Sequence, residues 1–356
     1  MISMESIISD SYAVHFNEMA FKALNSHLNE KAYSTIFILV DENTHELCLP
    51  NFMAEIHGEY SFEVIEIESG EVHKTIETCV GVWEALSELG ADRKSILINL
   101  GGGVLTDLGG FVASTFKRGI DFINVPTTLL SMVDASVGGK TGVDLGSLKN
   151  QVGVINQPVM VLVVPDFLDT LEERQVQSGF AEMLKHGLIQ DTSYWNDLKQ
   201  AVTLSHMKDH ILTSVKIKNK VVLQDPTEQG LRKILNFGHT LGHAIESYFL
   251  ENEQKVTLLH GEAIAIGMVL EAYLSFKLLN FPEQELTDIK RTFLDRYEKV
   301  DFNETDIDSI LKLMKFDKKN SHGKINFVLL NAIGNPEIDV QVPAELFKES
   351  FAYYKV

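Results

Sequence analysis

Ser95–Leu100 reads SILINL and runs straight into Gly101-Gly102-Gly103-Val104-Leu105-Thr106-Asp107, after which Asp107–Phe116 follows a helical pattern. Six residues rich in Ile and Leu, closed by glycines, predict a buried strand ending in a tight turn. Three glycines between a strand and a helix let backbone N–H groups approach a phosphate, with the helix N-terminus adding favourable charge. The spaced GxGxxG fingerprint is absent, so a turn chosen only for packing explains this stretch as well when it stands alone.

Working outward, the same alternation repeats. Ser34–Val40 (STIFILV), Phe62–Glu68 (FEVIEIE), Phe122–Val125 and Val159–Val164 (VMVLVV) read as further strands, with a helical stretch at Lys74–Leu89. That order implies βαβ units and a mostly parallel sheet, with ligands at the carboxyl ends of its strands. After Pro165 the texture changes to long helices at Gln175–Ile189, Met207–Leu223, Leu231–Leu250, Gly261–Leu279 and Glu283–Tyr297, with a strand signal returning only at Ile325–Leu330. The expectation is an α/β Rossmann-like domain over 1–172 with a mostly parallel sheet, an all-α domain over 173–356, and a cleft between them.

The 356 residues suffice for two domains, and a net charge of -19 argues against nucleic acid or an anionic membrane as a partner. Cys48 and Cys79 form neither a disulfide framework nor a metal motif, and read as small buried residues. The N-terminal stretch MISMESIISDSYAVHF lacks the basic and apolar regions of a secretory signal, and no run of eighteen apolar residues occurs. A cytoplasmic setting fits best.

Several loops carry chemistry-bearing residues. Ser69-Gly70-Glu71-Val72-His73-Lys74 follows a strand and offers a small turn whose carboxylate suits a ribose hydroxyl, as does Asp41 at the end of the first strand. Arg118-Gly119, the run Pro126 to Asp144 and then Lys149-Asn150 are dense in Gly, hydroxyls and Lys, a composition suited to polyanions or polyols. A P-loop reading of Gly139-Lys140-Thr141 fails, because Asp134 stands where its first Gly belongs. His239 and His243 are four residues apart, hence on one helical face, with His260 and the carboxylate of Glu182 as further donors for a divalent metal. Spacing does not say which histidine binds metal and which handles protons, and a lone His is more often a satisfied surface or core residue.

Taken together, the stretches GGGVLTDLGGF, KRGI, VPTTLL, VDASVGGKTGVD, KN, SGFAEMLKHG, GLRKILNFGHTLGHAIE, HGEAIAIGM and DKK, in that order between residues 69 and 319, resemble the 3-dehydroquinate synthases of the sugar-phosphate cyclase family. The resemblance implies a dehydroquinate synthase-like fold, with an NAD-binding first domain and a metal- and substrate-binding second one. It assigns Zn2+ or Co2+ to Glu182, His239 and His260, and leaves His243 beside the metal as a proton-handling group. It implies that NAD+ touches Asp41, the turn Ser69, Gly70, Glu71, Val72, His73 and Lys74, and the turn Gly102, Gly103, Val104, Leu105, Thr106 and Asp107. Thr127, Thr128, Lys140, Lys149, Phe167, Leu168, Asp169 and Thr170 complete that set. Substrate contacts fall on Arg118, Asp134, Lys140, Asn150, Lys185, Lys218, Arg232, Asn236, His243 and Lys319. The implied substrate is 3-deoxy-arabino-heptulosonate 7-phosphate, the implied products 3-dehydroquinate and phosphate, with NAD+ recycled, and a homodimer is the family expectation.

The physical reading agrees, since a substrate with a carboxylate and a phosphate needs a local set of cations in so acidic a chain. Arg232, Asn236, His239 and His243 are expected to lie along one helix. Leu148, Ile155-Asn156 and Pro226 depart from the family pattern, and the segment from His243 to His260 includes a few more residues than usual. The rivals are another cyclase branch, a metal-dependent polyol dehydrogenase, which does not need six cations, and a binding protein without activity.

Overall fold

The computed structural model describes residues 6–146, 148–201, 203–314 and 325–356, so Lys319 lies outside the described residues. The chain divides into two compact units, Met1–Gly146 with Asn150–Val176, and Ser147–Lys149 with Gln177–Val356.

The first nine strands, in the first unit but for Leu148 and Lys149 of β8, are β1 Ser6–Ile8, β2 Ala13–Phe16, β3 Ile36–Asp41, β4 Phe62–Ile67, β5 Ile96–Gly101, β6 Asp121–Pro126, β7 Lys140–Leu145, β8 Leu148–Ile155 and β9 Met160–Val163. Seven of them form one sheet in the order β1-β2-β9-β6-β5-β3-β4, parallel except where β1 meets β2. Every residue of β5 and β9 is buried, the signature of strands covered on both faces. Strand β3 has β4 on one side and β5 on the other, with Ile36 opposite both Phe62 and Ile96. The order therefore reverses at β3, and the carboxyl ends of β3 and β5 flank the crevice where doubly wound sheets bind ligands.

A helix over Gly103–Thr115 lies on this sheet, and its Leu105, Leu108, Phe111 and Val112 join Phe37, Leu39, Leu97 and Phe122 in one core cluster. It approaches very closely: a Cβ on Gly109 would stand 2.0 Å from Asn99 Oδ1. The helix starts at Gly103 and not at Asp107, so most of the expected turn is its first turn. The segment expected as loop from Pro126 to Asp144 and at Lys149-Asn150 instead holds most of β7 and the start of β8, which pair as a separate two-stranded ribbon. Their residues, KTGVDL and LKNQVGVI, are too polar to signal strands because β8 is largely exposed. The short N-terminal strands β1 and β2 carried no sequence signal of comparable strength.

The second unit is mostly helical: Glu173–Gln190, Thr192–Leu198, Leu204–Gln224, His239–Glu251, His260–Leu279, Glu283–Leu294, Glu304–Leu313 and Ala344–Lys355. An antiparallel hairpin, β10 Asn326–Ala332 and β11 Asn335–Gln341, adds to them. The single helix expected over Leu231–Leu250 is broken. A 3-10 turn covers Leu231–Asn236, Gly238 adopts φ 79, and the α-helix begins at His239. Arg232 and Asn236 therefore do not share a helical face with His239 and His243.

Glycines explain the break. A Cβ on Gly238 would stand 2.3 Å from Met268 Cγ, and one on Gly267 would stand 2.0 Å from Gly238 O. One on Gly261 would stand 1.8 Å from Ser178 O. Helix His260–Leu279 thus runs in backbone contact with both the chain entering helix His239–Glu251 and helix Glu173–Gln190. Among the described residues no helix is long and apolar enough to cross a membrane.

Candidate active site

Three helices of the second unit bring the donor groups together. Glu182 lies fully buried at mid-helix, while His239 and His260 each open their helix. Glu182 Oε1 stands 3.5 Å from His239 Nε2 and 3.6 Å from His260 Nε2. Ligand nitrogens of His239, His243 and His260 all lie within 4.8 Å of one another. The His243 ring sits beside both others, with centroids 5.1 Å from His239 and 5.7 Å from His260.

The outer nitrogens are held as a metal site requires. His239 Nδ1 is 3.0 Å from Phe237 O and His260 Nδ1 is 3.0 Å from Glu246 Oε2, so protonation at Nδ1 leaves each Nε2 lone pair facing Glu182. Donors about 2.0–2.2 Å from a tetrahedral centre lie roughly 3.3–3.6 Å apart, so a carboxylate oxygen and two imidazole nitrogens at these separations fit a divalent ion. Charge agrees with geometry. Burial disfavours the protonated His260 ring, but Glu246 and Glu182 outweigh it and raise its pKa to about 10. Burial likewise pushes the Glu246 carboxyl up, yet His260 and Lys149 overcome this and hold it well below the usual carboxylate range. The spot between these acids favours positive charge.

Cations surround the same unit. Lys185, one turn after Glu182 and almost fully buried, meets Glu182 Oε2. Lys218 and Arg232 are also buried. Lys149 Nζ lies 3.5 Å from Glu246 Oε1, with both side chains nearly covered. Arg232 is delivered by a loop gathered around Asp225, whose carboxylate accepts from the backbone N–H of Gln229 at 3.0 Å, Gly230 at 2.7 Å and Arg232 at 3.0 Å. Arg232 Nη1 donates to Pro226 O at 2.7 Å, a main-chain acceptor that survives the departure at this position. Asn236 donates to Glu228 Oε1 at 2.6 Å. Sequence reasoning missed Glu228, Glu246 and Glu271; only the placement of acids within apolar helical runs hinted at the last two.

The first unit collects the phosphate- and ribose-suited groups at the carboxyl ends of its strands. Asp41 ends β3, and its Oδ1 caps the next helix by accepting from Thr44 N at 2.7 Å. Gly102 caps the helix after β5, where a Cβ would stand 3.1 Å from Thr128 Cγ2. Gly103, Val104 and Leu105 open that helix with N–H groups that have no partner within it. The side chains of Leu105, Thr106, Thr127, Phe167 and Leu168 are buried. Ser69 donates to Glu42, Gly70 adopts φ 107, and Glu71–His73 form a 3-10 turn ahead of Lys74. Lys74 bonds Asp107 Oδ2 at 2.6 Å and Asn150 Oδ1 at 2.7 Å, joining two proposed cofactor residues to a proposed substrate residue. Asp134 lies in a π-helical turn over Ser131–Ala135 and Lys140 opens β7, exposed. Arg118 is exposed, on a turn with φ 70.

Comparison with known proteins gives the arrangement its family. The 3-dehydroquinate synthase N-terminal family model matches residues 64–178, and the 3-dehydroquinate synthase C-terminal model matches residues 179–320. The 3-dehydroquinate synthase of Parabacteroides distasonis is 42% identical over 337 residues, covering 93% of this chain and 94% of that one. Among solved structures, the 2-epi-5-epi-valiolone synthase of Streptomyces hygroscopicus, with NAD+ and Zn2+ bound, is 26% identical with a TM-score of 0.84 over 99% of each chain. A 2-deoxy-scyllo-inosose synthase complexed with carbaglucose-6-phosphate, NAD+ and Co2+ shares the fold at a TM-score of 0.84 and 24% identity, over 98% of this chain and 99% of that one. The chain belongs to the 3-dehydroquinate synthase family and has the lyase activity of that family.

Proposed function

We propose that the chain converts 3-deoxy-arabino-heptulosonate 7-phosphate into 3-dehydroquinate and phosphate, using NAD+ and a divalent metal, Zn2+ or Co2+. The observation that carries this is the convergence of Glu182 Oε1 on His239 Nε2 and His260 Nε2 beside the buried Lys185. When bound, the metal lowers the pKa of substrate hydroxyls and NAD+ accepts and then returns a hydride, so the cofactor is recycled.

The chain's own residues supply everything else. Glu182, His239 and His260 hold the metal, and His243 moves protons beside it. Lys140, Lys185, Lys218 and Arg232, with Arg118, Asn150, Asn236, Asp134 and Lys319, hold and orient a substrate whose carboxylate and phosphate need charge-assisted partners. Asp41 at the end of β3 and the N–H groups that open helix Gly103–Thr115 would hold NAD+, the latter suiting its phosphates. The first unit is then the NAD-binding domain and the second the metal- and substrate-binding domain. The enzyme works as a homodimer in the cytoplasm.

The test is phosphate release from the heptulosonate phosphate with and without NAD+. Phosphate that accumulates only with NAD+, and with no build-up of NADH, is the expected result. One NADH formed per substrate consumed would sink the reading in favour of a dehydrogenase.

A further inference from the structure

Helix His239–Glu251 begins at the metal site without a side-chain cap of its own, because its N-cap residue is Gly238. The first N–H groups of any helix need acceptors, and a buried helix start without them is costly. Here the acceptor comes from another helix. Glu271, in helix His260–Leu279, is fully buried, accepting from Gly238 N at 2.6 Å through Oε2 and from Leu241 N at 3.2 Å through Oε1. These two N–H groups lie on either side of His239.

Glu271 does not reach the metal position along its own helix. It is eleven residues beyond His260, about 16 Å at the helical rise. It acts instead on the backbone that aims His239, whose ring is fixed to Phe237 O immediately before the capped Gly238. One helix thus carries the His260 ligand at its first residue and clamps the segment carrying the His239 ligand three turns later. A carboxylate suits the place, since a negative charge at a helix N-terminus is stabilised by the helix dipole and accepts strongly from two N–H groups.

We infer that Glu271 is a positioning residue of the metal centre, fixing His239 relative to His260 by capping the helix that His239 opens; the inference rests on the metal reading given under Proposed function. Glu271→Gln keeps the shape but loses the charge, and sets an amide NH2 against one of the two N–H donors. Glu271→Asp keeps the charge but is one methylene too short to serve both.

The experiment uses full-length protein stripped of metal by a chelator, then titrated with Co2+ against a chromophoric competitor, with no NAD+ or substrate present. Thermal melts of the stripped proteins report folding separately. In Glu271→Gln the Co2+ Kd should rise about 10- to 100-fold, with an altered visible Co2+ spectrum and one cooperative melt. A cooperative melt with wild-type Co2+ affinity and spectrum in Glu271→Gln would overturn the inference. Should Glu271→Gln not fold, Glu271→Asp carries the test with the same expected direction, and unchanged affinity there overturns it equally. If the unmodified chain binds no Co2+, the metal reading falls and takes this inference with it; if that chain binds it and the variants match it, only this inference falls.

Discussion

Replacing Gly267 by alanine tests whether the two histidine-bearing helices are set by backbone contact. The added Cβ would stand 2.0 Å from Gly238 O and 2.8 Å from Gly242 N. An ordinary carbon–oxygen contact is about 3.3 Å, so the crossing must open by roughly 1.3 Å at this point. Overpacking of this kind costs about 1–3 kcal/mol. At about 2–4 °C per kcal/mol for a unit the size of the second one, that unit should melt about 2–12 °C lower in the metal-free protein. The metal site should suffer more than stability does, since donor distances tolerate shifts of only about 0.2 Å; Co2+ or Zn2+ affinity should fall tenfold or more. Calorimetry in chelator followed by metal titration measures both. Gly81→Ala is the control, because a Cβ there meets nothing within 4 Å in a regular helix and should leave the melt unchanged or raised. A Gly267→Ala protein with wild-type melting and wild-type metal affinity would refute the reasoning.

Other substitutions separate the roles. His239→Ala should abolish bound metal and activity together; zinc retained stoichiometrically with normal turnover removes His239 from the site. Lys140→Ala and Arg232→Ala should each lower kcat/KM about ten- to a hundredfold, the equivalent of one charge-assisted contact, while metal analysis and circular dichroism stay unchanged. Wild-type kinetics in both would remove the cation set. Burial raises the Asp225 carboxyl, but the N–H groups of Gly230, Gln229 and Arg232 outweigh it and hold the pKa below its ordinary value. A depressed folded pKa contributes stability above the unfolded value of about 3.9 that is lost as pH falls through the folded one. Asp225→Asn should therefore flatten acid unfolding in that window, and an acid-unfolding curve parallel to wild type would show that Asp225 contributes nothing there.

Much of the fold was legible because its central strands are buried on both faces. IFILV and ILINLG can hardly be anything but core, and the glycines after β5 mark where backbone meets helix. The β7–β8 ribbon was illegible for other reasons: β8 is largely exposed and of mixed polarity, and the buried centre of β7, TGVD, mixes apolar and polar residues without alternation. The continuous helix read over Leu231–Leu250 failed at Gly238. Its neighbours keep helical spacing, and only the contact with Met268 and Gly267 forces the left-handed turn. Motif residues such as Glu182 and His260 were identifiable by resemblance, whereas Glu246 and Glu271 act through tertiary partners far off in sequence, to which spacing is blind.

The loop around Asp225 has one more implication. Its carboxylate binds main-chain N–H groups at 229, 230 and 232, and Arg232 in turn binds the main-chain oxygen of Pro226. Every residue type offers that oxygen and every one but proline offers the N–H, so the loop is indifferent to most of the side chains between its ends. What it counts is residues. A single insertion or deletion between Asp225 and Arg232 would put the N–H groups out of step with the carboxylate and swing the guanidinium away from its seat. The departure at Pro226 changes composition without changing the count. Across relatives, this stretch should therefore drift freely in spelling while keeping its length.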